Sequence, residues 1–174
     1  MNSNLQARSK KYIIALYIFL LTINGCGVYS FSGASIPDEA KTIYIHYIKN
    51  EATLIEPNLS NKLTESLKTK CLTESNLVWG DQKSEINFSG RIKKYEVSPM
   101  AIENNETAAK NRLTIGVEVT YNNQFDPTQN FNTVFTDYAD FDSDENFYAK
   151  EEELNDIIIN NLIEDIFNAA FLNW

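Results

Sequence analysis

The segment from Arg112 to Tyr121 constrains the fold most, because its side chains alternate strictly between apolar and polar. The apolar set is Leu113, Ile115, Val117, Val119 and Tyr121, and the other set is Arg112, Thr114, Gly116, Glu118 and Thr120. Successive side chains of a β-strand point to opposite faces. The pattern therefore predicts a sheet with one solvated face and one face that a second layer must cover.

Three further segments are rich in β-branched and aromatic residues and are predicted to be strands: Lys41–Lys49, Glu85–Val97 and Asn130–Phe141. In the first, Ile43, Ile45 and Tyr47 are expected to share a face. In the last, Phe131, Thr133 and Phe135 are expected to do so.

The alternation within Glu85–Val97 changes phase partway along. Ile86, Phe88 and Ile92 share one parity, whereas Tyr95 and Val97 fall on the other. One extra residue in a strand produces such a shift, so we expect a β-bulge near Lys93-Lys94.

Two segments have helical periodicity. The first opens at Pro57-Asn58 and runs to about Leu72, with a stripe at a spacing of four residues formed by Leu59, Leu63, Leu67 and Cys71. The second runs from Glu151 to the end of the chain and repeats large apolar residues at helical spacing. Glu151, Glu152 and Glu153 are expected in its first turn, where carboxylates suit the helix dipole.

The order of elements is therefore β-α-β-β-β-α. We predict an α+β two-layer sandwich, in which a four-stranded mixed sheet carries both helices on one face. The second, third and fourth strands are expected to form an antiparallel meander.

The first 25 residues have the features of a secretory signal peptide. Arg8, Lys10 and Lys11 precede an apolar run from Tyr12 to Ile23, which Asn24-Gly25-Cys26 follows. A cysteine directly after a small residue is typical of bacterial lipoproteins, so Cys26 is predicted to carry lipid. The alternatives are an uncleaved membrane span, for which the run is short, and an unmodified cysteine after a signal peptide.

This interpretation divides the chain into three parts. Residues 1–25 are the lipoprotein signal peptide, residues 26–40 a lipidated N-terminal tether, and residues 41–174 a single α/β domain. Lipid would attach the domain to a membrane.

Charge excludes one large class of partners. Three of the 15 basic residues lie in the signal segment, which leaves 12 basic against 24 acidic residues in the predicted mature chain. Nucleic acids require a basic surface, so no nucleic-acid partner is expected.

Catalytic and cofactor motifs are not apparent. The chain has one histidine, His46, within a predicted strand, and it is expected to be structural or part of a contact surface. The sequence contains no phosphate loop, dinucleotide fingerprint or H-E-x-x-H motif. A pair of carboxylates that catalyses hydrolysis stays open as an alternative. The signal for it is weak, because no two acidic residues lie in an apolar setting that would raise the pKa of one of them. We therefore expect no enzymatic activity and no cofactor.

The acidic segment Asp140, Asp142 and Asp144 has the offsets of a calcium loop, with Glu151 at the twelfth position. Against a calcium site, Glu145 occupies the sixth position, where that loop requires glycine, and a strand precedes the segment. A solvated acidic strand end explains the same residues, and no metal site is assigned.

Cys71 ends the leucine stripe of the first helix. It is expected to be a small buried apolar residue, with a reactive thiol as the alternative.

Several segments together resemble a known family: CGVYSFSG from Cys26, SIPDEAKTIYI, EPNLSNKLTESLK, INFSGRIKKYEVSP, AAKNRLTIGVEVTYNN, FDPTQNF and the closing DIFNAAFLNW. They resemble the LptE family of outer-membrane lipoproteins, in the form found in Bacteroidetes, over essentially the whole mature chain. The resemblance implies a domain with two helices on a four-stranded sheet, in agreement with the order of elements.

The resemblance also implies a function. Members of the family plug the β-barrel LptD and assist its assembly, in the transport of lipopolysaccharide to the outer leaflet. The resemblance further implies that the protein lies on the periplasmic side of the outer membrane, where its lipid holds it. Aromatic residues such as Tyr44, Tyr138 and Tyr148 could contact the barrel lining.

Some members of the family also bind lipopolysaccharide through basic residues. This chain departs from that pattern because it is acidic. Its basic side chains are clustered only at Arg91, Lys93 and Lys94, with Lys110 and Arg112 beside a polar loop. A solvated strand face explains these residues equally well, and no lipopolysaccharide contact is assigned to them.

Two other functions stay open. A lipid-binding or lipid-relay lipoprotein acting without a barrel would need an enclosed apolar pocket. A lipid-anchored hydrolase would need a cleft that holds a nucleophile beside a base.

Overall fold

The computed structural model describes residue 36, residues 39–54, residues 56–100 and residues 109–172. Cys26, the signal peptide and most of the proposed tether lie outside the described residues. The elements, in chain order, are β1 (Thr42–Ile45), β2 (Lys49–Asn50), α1 (Leu59–Glu74), β3 (Val78–Trp79), β4 (Ile86–Pro99), β5 (Lys110–Asn123), a 3-10 turn (Pro127–Gln129), β6 (Phe131–Asp142) and α2 (Phe147–Phe171).

The described strands form one mixed sheet in the order β3-β1-β4-β5-β6, with β2 also pairing with β4. β1 runs parallel to β3 and β4, whereas β4, β5 and β6 form the expected antiparallel meander. The predicted α+β class with a mixed sheet is therefore confirmed. The sheet has six strands rather than four because two strands of two residues each, β2 and β3, add to the four longer ones.

The first predicted strand, Lys41–Lys49, is broken after Ile45. The N–H of Ile48 donates to Thr64 Oγ1 on α1 at 3.1 Å, so the chain leaves the ladder and turns toward the helix. Ile48 is buried as a result, and Tyr47 is 56% exposed. The prediction that Tyr47 shares the face of Ile43 and Ile45 was wrong, because a strand alternates only while its ladder continues.

The β-bulge in the second long strand is confirmed. The register between β4 and β5 shifts between Ile92 and Lys94. Because of the shift, Ile92 and Tyr95 both face the core, with 0% and 4% exposure.

The leucine stripe of α1 is buried as predicted, since Leu59, Leu63, Leu67 and Cys71 are all fully buried. The second helix begins at Phe147, four residues before the predicted start. Asn146 caps it, because its Oδ1 accepts from the N–H of Tyr148 at 3.0 Å.

The earlier start moves Glu151, Glu152 and Glu153 out of the first turn, so their predicted contact with the helix dipole was wrong. Glu151 accepts instead from the hydroxyl of Tyr95 at 2.7 Å, which joins α2 to β4.

One apolar cluster fills the space between the sheet and the two helices, to which β1, β4, β5, β6, α1 and α2 all contribute. Lys62 of α1 forms ion pairs with Glu152 and Asp156 of α2 at 3.4 and 2.9 Å. Within the described residues, neither helix combines the length and apolar character of a membrane span. Among the described residues, no helix packs on the opposite face of the sheet, which is the candidate functional surface.

Candidate functional site

The outer face is the surface of β4, β5 and β6 that points away from the helices. On β5 its residues are the even-numbered ones, since the odd-numbered residues from Leu113 to Tyr121 are buried. The register then assigns the neighbouring residues to this face: Ser89, Arg91, Lys94 and Glu96 on β4, and Asn132, Val134, Thr136, Tyr138 and Asp140 on β6. The solvated face predicted from the alternation of β5 is therefore present.

Arg91 and Glu118 form the first cross-strand pair on the outer face. They are register partners, and Arg91 Nη2 donates to Glu118 Oε1 at 3.0 Å. The hydrogen bond with Arg91 lowers the pKa of the Glu118 carboxyl. Glu51 lies beside them, 3.8 Å from Arg91 Nη1 and 3.3 Å from Lys93 Nζ. Two carboxylates thus neutralise two of the three cations in the densest basic cluster.

The third cation of this cluster, Lys94, lies 3.2 Å from Glu96 Oε2. All three cations have acidic partners, although their residues are exposed. Exposed pairs of this kind contribute little to stability, but they remove most of the net charge from this part of the sheet.

Arg112 and Asp140 form the second cross-strand pair. Arg112 Nε donates to Asp140 Oδ1 at 2.7 Å and Nη2 donates to Oδ2 at 2.9 Å. The guanidinium also lies over the ring of Tyr138, with Cζ 3.4 Å from the ring centroid. The hydrogen bond from Arg112 lowers the pKa of the Asp140 carboxyl. This two-bond geometry fixes both side chains more firmly than a single contact would.

The same pair bears on the calcium alternative for Asp140, Asp142 and Asp144. Both carboxylate oxygens of Asp140 are occupied by Arg112, and the N–H of Asp142 donates to Glu145 Oε2 at 3.3 Å. Among the described residues, no three acidic, histidine or cysteine side chains come together as a metal site would require.

His46 belongs to an aromatic cluster beside β1 and β3, the two strands at the opposite end of the sheet from β6. Its ring meets Tyr44 edge to face at 4.8 Å, and Tyr44 lies 5.2 Å from Trp79. Lys68 Nζ lies 4.4 Å above the Trp79 ring. These ring contacts lie within the chain and fit a structural role for His46, one of the two roles expected, whereas a role in a contact surface stays a prediction. Trp79 is a member of the cluster that the sequence did not indicate.

The three tyrosines predicted to contact the barrel lie on different elements: Tyr44 on β1, Tyr138 on β6 and Tyr148 on α2. Tyr138 is 49% exposed beneath Arg112, and Tyr148 is 82% exposed at the start of α2. Tyr44 is half-buried in the aromatic cluster. They do not form one patch on the outer face.

Cys71 is buried among the leucines of α1, as predicted. Burial raises the pKa of its thiol to about 12, so almost none of it is thiolate at neutral pH. Reactivity requires the thiolate, and Cys71 is therefore a packing residue.

A groove of about 470 Å³ runs between α1 and α2, and it is open to solvent. All of its lining residues except Ile163 have polar side chains. Lys70 crosses the groove to Glu164 and also lies 2.7 Å from Glu74. Such a groove does not offer an apolar shelter for acyl chains.

Sequence reasoning placed Arg91, Lys93, Lys94 and Arg112 on or beside strands but did not identify their partners. Glu51 was missed because it lies in a connection far from Arg91 in sequence. Glu118 and Asp140 could have been paired with their arginines only with the strand registers in hand, since cross-strand partners are set by register.

Comparisons with known proteins agree with the fold. A family model described as LptE, lipopolysaccharide-assembly, matches residues 40–170. No curated protein matches the sequence.

Solved structures give further similarities. A minor lipoprotein from Acinetobacter baumannii is 16% identical with a TM-score of 0.45, over 70% of this chain and 91% of that chain. A neuraminyllactose-binding hemagglutinin homolog from Helicobacter pylori is 8% identical with a TM-score of 0.50, over 78% and 85%. The rare lipoprotein B from Shewanella oneidensis is 13% identical with a TM-score of 0.36, over 70% and 89%. At 8% identity, the similarity to the Helicobacter pylori protein concerns the fold alone.

Proposed function

The chain belongs to the LptE family of lipopolysaccharide-assembly proteins, and from that premise we propose that it is a non-catalytic outer-membrane lipoprotein that plugs an LptD-like β-barrel and assists its assembly. Lipid on Cys26 would hold the domain on the periplasmic side of the outer membrane. Its task would be to support the transport of lipopolysaccharide to the outer leaflet.

The outer face of the sheet is the observation that supports the proposed role as a plug. It is polar, and Arg91–Glu118 and Arg112–Asp140 fix its side chains across neighbouring strands. The interiors of membrane β-barrels are polar and hydrated. A sheet face with internally paired charges can lie against such a lining without burying an unpaired charge, which would cost several kcal/mol.

The relay alternative would require an apolar pocket large enough for acyl chains. The space between sheet and helices is instead occupied by packed side chains, many of them fully buried, including Leu63, Ile115 and Ile158. The groove between α1 and α2 is open to solvent, and the charged side chains of Lys70 and Glu164 meet across it. Both observations favour a solid plug over a lipid carrier.

The paired charges also bear on lipopolysaccharide. Its phosphates would have to displace a carboxylate from Arg91, Lys93, Lys94 or Arg112, since each has an acidic partner within 4 Å. Lys110 lies opposite Asp142 in the register. The outer face is therefore better suited to a protein surface than to a phosphate-bearing glycolipid.

The experiment is extraction of the native protein from membranes, followed by identification of what co-purifies. We expect a large β-barrel in constant ratio to the protein. The variant Cys26→Ala should give a folded protein that leaves the membrane fraction, together with a lower yield of assembled barrel. Purification with acyl lipid and without a barrel would support the relay instead.

A control separates anchoring from folding. Cys71→Ala changes the other cysteine, which is buried, so it should leave both membrane attachment and co-purification intact. If Cys26→Ala stayed in the membrane fraction, lipid on Cys26 would not be the anchor.

A further inference from the structure

β6 forms one end of the sheet. It pairs with β5 along its whole length, from Phe131 to Asp142, and no other described strand lies on its second side. Just beyond this pairing, the N–H of Ser143 donates to the carbonyl of Ala109 at 3.0 Å. This bond shows which residues of β6 direct their backbone groups toward β5. Because the hydrogen bonds of an antiparallel pair recur at every second residue, the odd-numbered residues of β6 bond to β5.

The even-numbered residues of β6 therefore direct their N–H and C=O groups away from β5. They are Asn132, Val134, Thr136, Tyr138, Asp140 and Asp142. Among the described residues, only Asp142 has partners for these groups: its N–H donates to the Glu145 carboxylate at 3.3 Å, and its C=O accepts from the N–H of Glu145 at 3.0 Å. From Asn132 to Asp140 the strand thus presents a row of backbone groups, here called the free edge, that could pair with an added strand.

The side chains along the free edge change in character from one end to the other. The first half is apolar or neutral: Phe131 and Phe135 are half-buried and Val134 is 56% exposed. The second half is acidic. Asp137 points to the core side at the sheet's edge, where its Oδ2 accepts from Asn161 of α2 at 2.8 Å.

More acidic groups surround this second half. Asp142, Asp144 and Glu145 follow at the end of β6, and Asp165 is exposed one turn beyond Asn161 on α2. The nearby cations are already paired: Arg112 with Asp140, and Lys150 with Glu145 and Glu153. Lys110 lies opposite Asp142. The charge left over along the edge is negative.

We propose that the free edge of β6 is a docking site for an extended, basic segment of a partner protein, which adds to the sheet as a further strand. Main-chain hydrogen bonds would supply the binding, as in other cases of strand addition. Apolar side chains of the partner would lie near Val134 and Phe135, and a lysine or arginine would lie near Asp137. The backbone groups of the free edge point sideways from β6 rather than out of the outer face, to which the side chain of Val134 belongs. The proposal does not depend on the proposed role as a barrel plug.

Asp137 also explains why a second copy of this chain does not suit the edge. An inward-pointing charge on an edge strand opposes pairing with a strand that brings no opposite charge. Every copy carries the same acidic edge, so self-pairing meets repulsion, whereas a basic strand neutralises it.

Two synthetic peptides of strand length test the proposal against the full chain purified from membranes in a neutral detergent. One alternates lysine with valine, and the other replaces each lysine by glutamate. Binding is measured by fluorescence anisotropy, and hydrogen exchange locates the backbone amides that become protected. The lysine peptide should bind and protect amides between Asn132 and Asp140, whereas the glutamate peptide should not bind.

Two variants test the edge itself. Thr136→Pro removes an N–H that points away from β5, so the ladder to β5 is retained while one bond to an added strand is lost. It should weaken binding of the lysine peptide about tenfold, which is about 1.4 kcal/mol. Asp137→Lys should shift the preference toward the glutamate peptide, whereas Glu65→Gln, an exposed carboxylate on α1, should change neither result.

Three outcomes would overturn the proposal. Equal binding of both peptides, or protection elsewhere in the chain, would remove the role of the acidic edge. Protection of the β6 amides that grows with protein concentration, without peptide, would make a second copy the occupant. Protection already complete in the dilute free protein would mean that another segment of the chain covers the edge.

Discussion

Arg112 and Asp140 lie directly opposite each other on β5 and β6 and are joined by two hydrogen bonds of 2.7 and 2.9 Å. Each belongs to a different predicted strand. The Cζ atom of Arg112 also lies 3.4 Å from the centroid of the Tyr138 ring. This contact ties the last strand of the meander to its neighbour on the solvated face.

The first prediction concerns the pH dependence of this pair. Arg112 lowers the pKa of Asp140, so the pair stabilises the fold above the unfolded-state value of about 3.9 and ceases to do so as pH falls through the lower folded-state value. Arg112→Gln should raise the pKa of Asp140 toward its ordinary range, as measured by NMR titration. Its deficit in Tm should be present near neutral pH and disappear in acid.

Arg91→Gln is the matched control for that prediction. It removes the partner of Glu118 on the same face, so the pKa of Glu118 should rise while that of Asp140 stays depressed. An unchanged Asp140 titration in Arg112→Gln would show that the pair is not formed in solution.

The second prediction concerns the core. Leu67 is fully buried in the stripe of α1, so Leu67→Ala should lower the free energy of unfolding by about 2–5 kcal/mol in urea. Thr69→Ala, at an exposed position of the same helix, should change it by less than about 0.5 kcal/mol. Similar losses in the two variants would argue against the observed orientation of α1.

The third prediction concerns the close approach of β4 to β5 at Gly90. A Cβ at this position would lie 2.7 Å from the backbone oxygen of Glu118, so Gly90→Ala must push the two strands apart. We expect a loss of about 1–3 kcal/mol in the free energy of unfolding.

Gly116→Ala provides the comparison for Gly90. There the added Cβ would lie 3.1 Å from the Cβ of Lys94, a tight contact but with a side chain rather than with backbone. Its cost in urea denaturation should be clearly smaller. The reverse order would mean that the register of β4 on β5 differs from the one described.

The fourth prediction concerns Cys71. Burial and a pKa raised to about 12 should make its thiol unreactive toward Ellman's reagent in the native Cys26→Ala protein at neutral pH, with full reaction in urea. Adding Thr73→Cys, at an exposed position two residues away, should introduce one rapidly reacting thiol. Rapid native reaction of Cys71 itself would contradict the packing of α1.

Much of the fold was predictable because burial is encoded residue by residue. The alternation of β5, the stripe of α1 and the slip in β4 each follow from the period of apolar side chains, and the structure confirms all three. The family resemblance is likewise confirmed, by the match over residues 40–170.

The boundaries of elements were less predictable, because they depend on single hydrogen bonds. The hydroxyl of Thr64 accepts a hydrogen bond from the N–H of Ile48, and the first strand ends earlier than predicted. Asn146 caps the second helix, which therefore begins before its acidic residues. Neither bond is visible in a periodic pattern, since each joins one side chain to one backbone group.

The spacing of residues along the chain predicted most of the buried side chains, the order of the long elements and the acidic charge of the predicted mature domain. The strand register and the order of the strands were needed to show which charges meet, how Glu51 joins Arg91 and Lys93, and that no described strand pairs with the second side of β6. The reason is physical: burial depends on the local spacing of apolar residues, whereas cross-strand contacts and sheet edges depend on strand register and order.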